Sequence, residues 1–312
     1  MAKAHPRCAV VGAANIDIGG FPAGRLSMQD SNPGRIALSA GGVGRNIACT
    51  LSRLGVEVEL IAALGRDAFA ETIRADCMRS GVSLALSPTF EDAGSSAYLF
   101  IADAAGDMQL AVSDMEICAR LTPDALKPRL DALNGMDAVI LDANLSEETL
   151  CWLAPRLTVP VIADAVSTAK AGRLRNALPW LRVLKPNAIE AEALTGVAVA
   201  DDESVWQAMR ALVDAGVERV FITLGERGVC CGDALQGLVL PGPSVKLVNA
   251  TGAGDAFTAA LAWAELRGLD LRQSAMAGLA AAAIAVEAMQ TVSPDMSEAA
   301  LTRRMAQLAG PA

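Results

Sequence analysis

Histidine is almost missing from this 312-residue chain: the one copy, His5, lies near the N-terminus. That scarcity excludes a Ser-His-Asp triad, an H-E-x-x-H zinc site and the HRD loop of protein kinases. A general base must therefore be a carboxylate, or else a Lys, a Cys or the single tyrosine, Tyr98. Two common phosphate devices are missing as well, since no GxxxxGK[ST] occurs and no GxGxxG follows a strand-like run. The seven cysteines form no CxxC pair and are odd in number, which reads as reduced, structural thiols in a cytoplasmic protein. Basic residues are outnumbered, 26 against 35 acidic ones, for a net charge of −9. Such a chain is a poor partner for nucleic acid or an anionic membrane. An anionic ligand would have to be held by a local device, such as a helix N-terminus or a placed cation. Long hydrophobic runs are missing too. The N-terminal apolar run meets Asp17 before it could serve as a signal peptide. The uncharged stretch 273–286 is shorter than the about 20 residues of a membrane span.

What is abundant is small and aliphatic: 53 % of residues are hydrophobic but only 4 % aromatic, as in a helix-rich α/β protein. Short β-branched runs at 8–13, 58–64, 138–143, 159–164, 183–186 and 219–225 alternate with helical patterns at 44–54, 67–80, 147–157, 188–195 and 204–215. Near-continuous apolar strands separated by helices predict a mostly parallel sheet covered on both faces. Ligands of such sheets lie beyond the carboxyl ends of the strands. Two stretches break the rhythm. Residues 16–40 are punctuated by Gly, Pro and Ser around RIALSA, and 95–114 reads as two alternating runs about an AAGD turn, a hairpin pattern. We therefore expect one domain over 1–312, with a small β lid formed by about 16–40 and 93–114.

Several segments carry chemistry. In VNATGAGDAF (248–257) a Gly-rich turn runs straight into an Ala/Leu helix. The backbone N–H groups of Gly252, Ala253 and Gly254 can approach an anion there, aided by the helix N-terminus. Asp255, at the same end, is either a helix cap or a base beside an anion site, a pairing suited to phosphoryl transfer. In LKPNAIEAEAL (184–194), Asn187 and Glu190 stand three apart at a helix start. They form a capping pair, or they hold Mg²⁺-bound water near phosphates. GERG (225–228) follows a strand. Asn15 and Asp17, two apart after the first strand, suit a diol or an Asx turn. Gly41 and Gly42 open a helix that carries Asn46.

SAGGVGRNIA (39–48) resembles the N-terminal signature of the ribokinase-like, PfkB-type sugar kinases, and VNATGAGDAF resembles their C-terminal signature. KPNAIEAE (185–192) resembles the NxxE element between them, and ITLGERGV (222–229) the strand and loop that contact ATP. The order matches over nearly the whole chain. The resemblance implies an α/β, three-layer sandwich with a central mostly parallel sheet and a small β lid. It implies ATP and Mg²⁺, with Asp255 as the base and the amides of Ala253, Gly254 and Asp255 as its anion hole. Asn187 and Glu190 become the Mg²⁺/phosphate element, and Thr223, Gly225 and Gly228 the nucleotide loop. Asn15, Asp17, Gly41, Gly42 and Asn46 become the sugar pocket. One position departs: the family usually has Asp six residues before the base, associated with a monovalent cation, and this chain has Asn249. Dependence on K⁺ is therefore an open question.

Within that family, longer matches in DSNPGRI (30–36), SDM (113–115) and DANLSEE (142–148) resemble the pseudouridine kinases. The implied reaction converts ATP and pseudouridine to ADP and pseudouridine 5′-phosphate. Ser96, Tyr98 and Asp114, on the lid hairpin, are candidates for base contact. The alternatives are a kinase of another nucleoside or furanose, or a non-catalytic nucleoside-binding regulator. An exposed apolar lid would favour a homodimer.

Overall fold

The computed structural model describes residues 5–103 and 107–309. The main sheet has nine strands: β1 (Arg7–Val11), β4 (Glu57–Ile61), β6 (Val82–Ser83), β10 (Ala138–Asp142), β11 (Val161–Asp164), β12 (Val183–Lys185), β13 (Arg219–Thr223), β14 (Val229–Asp233) and β15 (Gly237–Leu240). Their spatial order is β15-β14-β13-β12-β11-β10-β1-β4-β6. Every pairing from β6 to β13 is parallel, and β14 and β15 add an antiparallel edge. A second sheet, ordered β3-β2-β8-β9, contains β2 (Asn15–Pro22), β3 (Gly34–Gly41), β8 (Ala97–Ala102) and β9 (Met108–Asp114). A small ribbon pairs β5 (Leu64–Gly65) with β7 (Thr89–Phe90).

The strands form because their side chains are buried on both faces. In β1, Cys8 and Val10 enter one apolar cluster while Ala9 and Val11 enter the other, which is the period-two alternation of a strand between two helical layers. The helices Val43–Arg53, Ala253–Leu266 and Leu271–Val286 cover one face. Helices such as Ala188–Thr195 and Asp202–Asp214 cover the other. Gly278 has no side chain because one there would lie 2.4 Å from the Phe257 ring. That contact locks the last two long helices of the first layer together. The uncharged 273–286 stretch is thus a buried core helix, capped by Asp270. No helix among the described residues is long and apolar enough to cross a membrane.

The parallel strands and main helices lie where expected to within a few residues. The 95–114 hairpin is present as β8 and β9, although AAGD turn residues 104–106 lie outside the described residues. Two things were not anticipated. The 15–22 segment is a full strand that pairs in parallel with β8; its glycines, Gly19 and Gly20, weaken the alternation that marks a strand. The β14–β15 edge was also unread, because VCCGD and GLVL are too short and Gly-rich to signal strands.

Candidate active site

Three buried strands end in charge at their carboxyl ends. Asp142 closes β10 and accepts bonds from the N–H groups of Ala13 (2.8 Å) and Asn144 (2.9 Å). A side chain at Gly12 would stand 2.3 Å from its Oδ2, so that carboxylate needs glycine opposite it. Burial pushes Asp142 up to about 6. Asp164 closes β11 and accepts from Val166 N–H at 2.8 Å, Thr258 Oγ1 at 2.5 Å and Lys185 Nζ at 2.9 Å. Lys185 closes β12. Burial opposes its charge, but Asp164, Glu190 and Asp255 outweigh that and hold it above the usual lysine range. None of these residues was singled out from sequence. The available signal was a charged residue ending an otherwise apolar strand, as in AVILD, VIAD and VLK.

Above them the Gly-rich turn enters the Ala253–Leu266 helix. Gly252, at φ 86°, occupies the N-cap position, and a side chain there would meet the Thr291 carbonyl at 2.3 Å. Ala256 is the residue that bonds back to Gly252 O, at 2.9 Å. The N–H groups of Ala253, Gly254 and Asp255 therefore fall in the first turn, where no intrahelical acceptor exists. The cap reading of Asp255 is corrected here: Gly252 caps the helix, without a side-chain bond. Asp255 instead accepts a bond from Asn46 Nδ2 at 2.9 Å, linking two helices 209 residues apart. Its carboxylate is only partly open to solvent. Desolvation first, then repulsion from Asp164, pushes it up to about 7, against the opposing pull of Asn46 and Lys185. A carboxylate poised near neutrality beside first-turn amides can take a proton while an anion is held.

Asn15 Nδ2 donates to Asp17 Oδ1 at 2.7 Å. Burial raises the Asp17 pKa, opposed by Asn15 and the Arg45 charge. Gly41 lies so close that a side chain would meet Asp17 Oδ2 at 2.2 Å, and Gly42 (φ 98°) turns against the Ala13 carbonyl. Asp17 thus lies against Asn15 and Gly41, while Asn46, whose N–H bonds to the Gly42 carbonyl at 2.8 Å, reaches Asp255. The register sets Ser39, Asp17, Tyr98 and Ser113 in one row across the second sheet. Tyr98 shares the face of Asp17, and its hydroxyl meets Met108 Sδ at 3.2 Å. The other two lid candidates are not brought there. Ser96 is buried with its hydroxyl 3.6 Å from Cys118 Sγ, and Asp114, in the Ala97 row, lies on the opposite face.

Asn187 and Glu190 form a capping box: Asn187 N–H donates to Glu190 Oε2 (2.8 Å) and Glu190 N–H to Asn187 Oδ1 (2.9 Å). The structural reading is therefore realised. Glu190 keeps a second carboxylate oxygen, buried near Lys185, that can accept a bond from metal-bound water. No cluster of three or more His, Cys, Asp or Glu suited to a metal occurs among the described residues. Asn187 bridges to Thr223, whose strand leads into the tight turn with Gly225 (φ 63°) and Gly228 (φ 98°). Asn249 is committed to backbone: Oδ1 accepts from Thr251 N–H (2.9 Å) and Nδ2 donates to the Met289 carbonyl (3.1 Å).

A model described as the pfkB family carbohydrate kinase matches residues 5–299. The chain is 33 % identical over 290 residues to the pseudouridine kinase of Escherichia coli K12, covering 92 % of this chain and 93 % of that protein. It is 35 % identical over 292 residues to the uncharacterized sugar kinase YeiI of the same organism, covering 93 % and 81 %. Among solved structures, ribokinase of Thermotoga maritima superposes with a TM-score of 0.85 over 96 % of this chain and 99 % of that one. At 23 % identity that likeness carries the fold, which is ribokinase-like.

Proposed function

We propose, for a chain that belongs to the pfkB carbohydrate kinase family and is thus a phosphotransferase acting on a hydroxyl group, that its acceptor is the 5′-hydroxyl of pseudouridine and its donor ATP. The observation that carries the reaction is Asp255, held near neutrality at the mouth of a helix whose first amides have no intrahelical acceptor. Asp255 accepts the proton as the 5′-oxygen attacks the γ-phosphorus. The bond to the bridging β–γ oxygen breaks and ADP leaves. The N–H groups of Ala253, Gly254 and Asp255, with Gly252 shaping the turn, meet the charge on the transferring group. Asn15, Asp17, Gly41, Gly42 and Asn46 orient the ribose, Asp17 taking the diol. Thr223, Gly225 and Gly228 border the nucleotide, and Asn187 and Glu190 would hold water of its Mg²⁺. That ion would neutralise phosphate charge. The second sheet acts as a lid over a single domain, and two copies pair through it. Seven free cysteines, six of them buried, support a reducing, cytoplasmic setting.

The pseudouridine assignment is supported by the relative of that name and by the matches at 30–36, 113–115 and 142–148. A kinase of another nucleoside or a furanose is the second reading, favoured by the equally similar sugar kinase YeiI. Release of ADP from ATP and Mg²⁺ with pseudouridine, uridine, ribose and fructose decides between them. Pseudouridine should give the highest kcat/KM. Preference for ribose or fructose would remove the nucleoside assignment, and no turnover with any of the four would leave the regulator reading.

A further inference from the structure

We propose that Arg45 is a positioning residue for the base: it fixes the Asn46 amide so that its NH2 group, and not its oxygen, meets Asp255. This rests on the reading of Asp255 above. Arg45 is 7 % exposed. Its backbone is pinned by an N–H bond to the Ala13 carbonyl at 3.0 Å. One guanidinium nitrogen donates to Asn46 Oδ1 at 2.9 Å, and the other is ion-paired with Asp76 of the Ala68–Arg79 helix. An amide can be placed either way round, but guanidinium has donors and no acceptor. Only the amide oxygen can face it. The Nδ2 end is thereby left for Asp255 Oδ2, at 2.9 Å.

A flipped amide would set oxygen against carboxylate and NH2 against guanidinium, two repulsions at once. The chain Asp76–Arg45–Asn46–Asp255 thus runs from a second helix to the reacting carboxylate through both terminal guanidinium nitrogens, while Arg45 Nε is buried without a partner among the described residues. It ties down one oxygen of Asp255 and leaves Oδ1 without a partner among the described residues, available to the acceptor hydroxyl. It also supplies the donor that favours the charged form. The other groups acting on Asp255 are Asp164 and Asp142, which raise its pKa, and Lys185, which lowers it. None belongs to this chain of contacts.

Removing Arg45 alone leaves Asp76 half-paired, with only the exposed Arg79, so the informative variant removes both charges. Replacing a buried ion pair by apolar residues of similar size is commonly neutral or stabilising, so Arg45→Met/Asp76→Leu should fold. Two measurements follow, and the first needs no substrate. Carboxyl ¹³C NMR titration of Asp255, assigned by the signal lost in Asp255→Asn, should move upward by about one pH unit, tenfold in the protonation equilibrium. With whichever acceptor the panel identifies, kcat should fall about tenfold or more while KM for ATP changes little. Arg45→Lys, a single point donor that cannot serve Asp76 and Asn46 together, should fold and show the same kcat loss in smaller degree. A folded double variant with an unmoved Asp255 titration and kcat within twofold overturns the proposal. Should the double variant not fold, Arg45→Lys at full kcat overturns it instead. Full activity in Asp255→Asn would overturn the base assignment, a different outcome from normal Arg45 variants beside an inactive Asp255→Asn.

Discussion

At the scale of single residues, burial of the Asp255 carboxyl costs the fold stability. Its carboxyl is moved from an ordinary value near 3.8 to about 7. Between those values the folded state binds a proton that the unfolded chain does not, so this group's contribution to stability falls as pH rises. Asn at that position retains size and removes the buried charge. Asp255→Asn should therefore melt higher than the parent at pH 8, and the gain should be smaller at pH 5 and vanish only below about 3.8. Its kcat should fall by about 10²–10⁴-fold, the usual contribution of a general base. Calorimetry at the two pH values and steady-state ADP release check both halves. A variant within a few-fold of parental turnover, correctly folded, would show that Asp255 is not the base.

Between residues and molecule stand the four strands of the second sheet. They form one hydrogen-bonded unit, since β2 pairs with both β3 and β8, and β8 with β9. They also carry Asp17 and Tyr98 on the same face. A ligand that bonds to Asp17 should steady all four strands together, because closure must exclude water from the transferring phosphoryl. Hydrogen exchange should slow over 16–40 and 97–114 together when the nucleoside binds. Protection confined to 15–17, with the remaining strands unchanged at saturation, would mean that the sheet is a fixed wall and not a lid.

On the scale of the whole molecule, the other face of that sheet is the feature a monomer does not explain. Leu38, Leu99 and Val112 share one register row, and Ile36, Ile101 and Leu110 the next. Ile36 is 71 % exposed, and Leu38, Leu110 and Val112 each close to 60 %. Contiguous apolar rows of this kind mark an association surface. In the dimer proposed above a second copy would be the occupant, because the same rows on both partners would make an isologous contact. Leu38→Asp/Leu110→Asp should convert a dimer to a monomer in analytical ultracentrifugation while each chain stays folded. A parent already monomeric at micromolar concentration would remove the pairing.

The sequence alone determined the fold class and the family to which the chain belongs. Both rest on local chemistry: alternating apolar strands and helical runs can bury themselves in few ways, and a Gly-rich turn before a helix exposes amides wherever it is placed. Of the motif residues, Asn15 bonds to Asp17, Gly41 packs against Asp17, and Asn46 bonds to Asp255. What was not legible is pairwise and long-range. Nothing in NATGAGD tells a capping Asp255 from one that turns to Asn46, because the partner is 209 residues away. The capping reading of Asn187 and Glu190 could not be separated from the metal reading, because one pair of side chains serves either. Asp142, Asp164, Lys185 and Thr258 read as unremarkable strand ends and a helix residue until β10, β11 and β12 lie side by side. Arg45 reads as a surface charge until the Ala68–Arg79 helix supplies Asp76. Tertiary structure alone decided these, because a buried charge takes its partner and its pKa from neighbours that the fold, not the chain order, brings within about 3 Å.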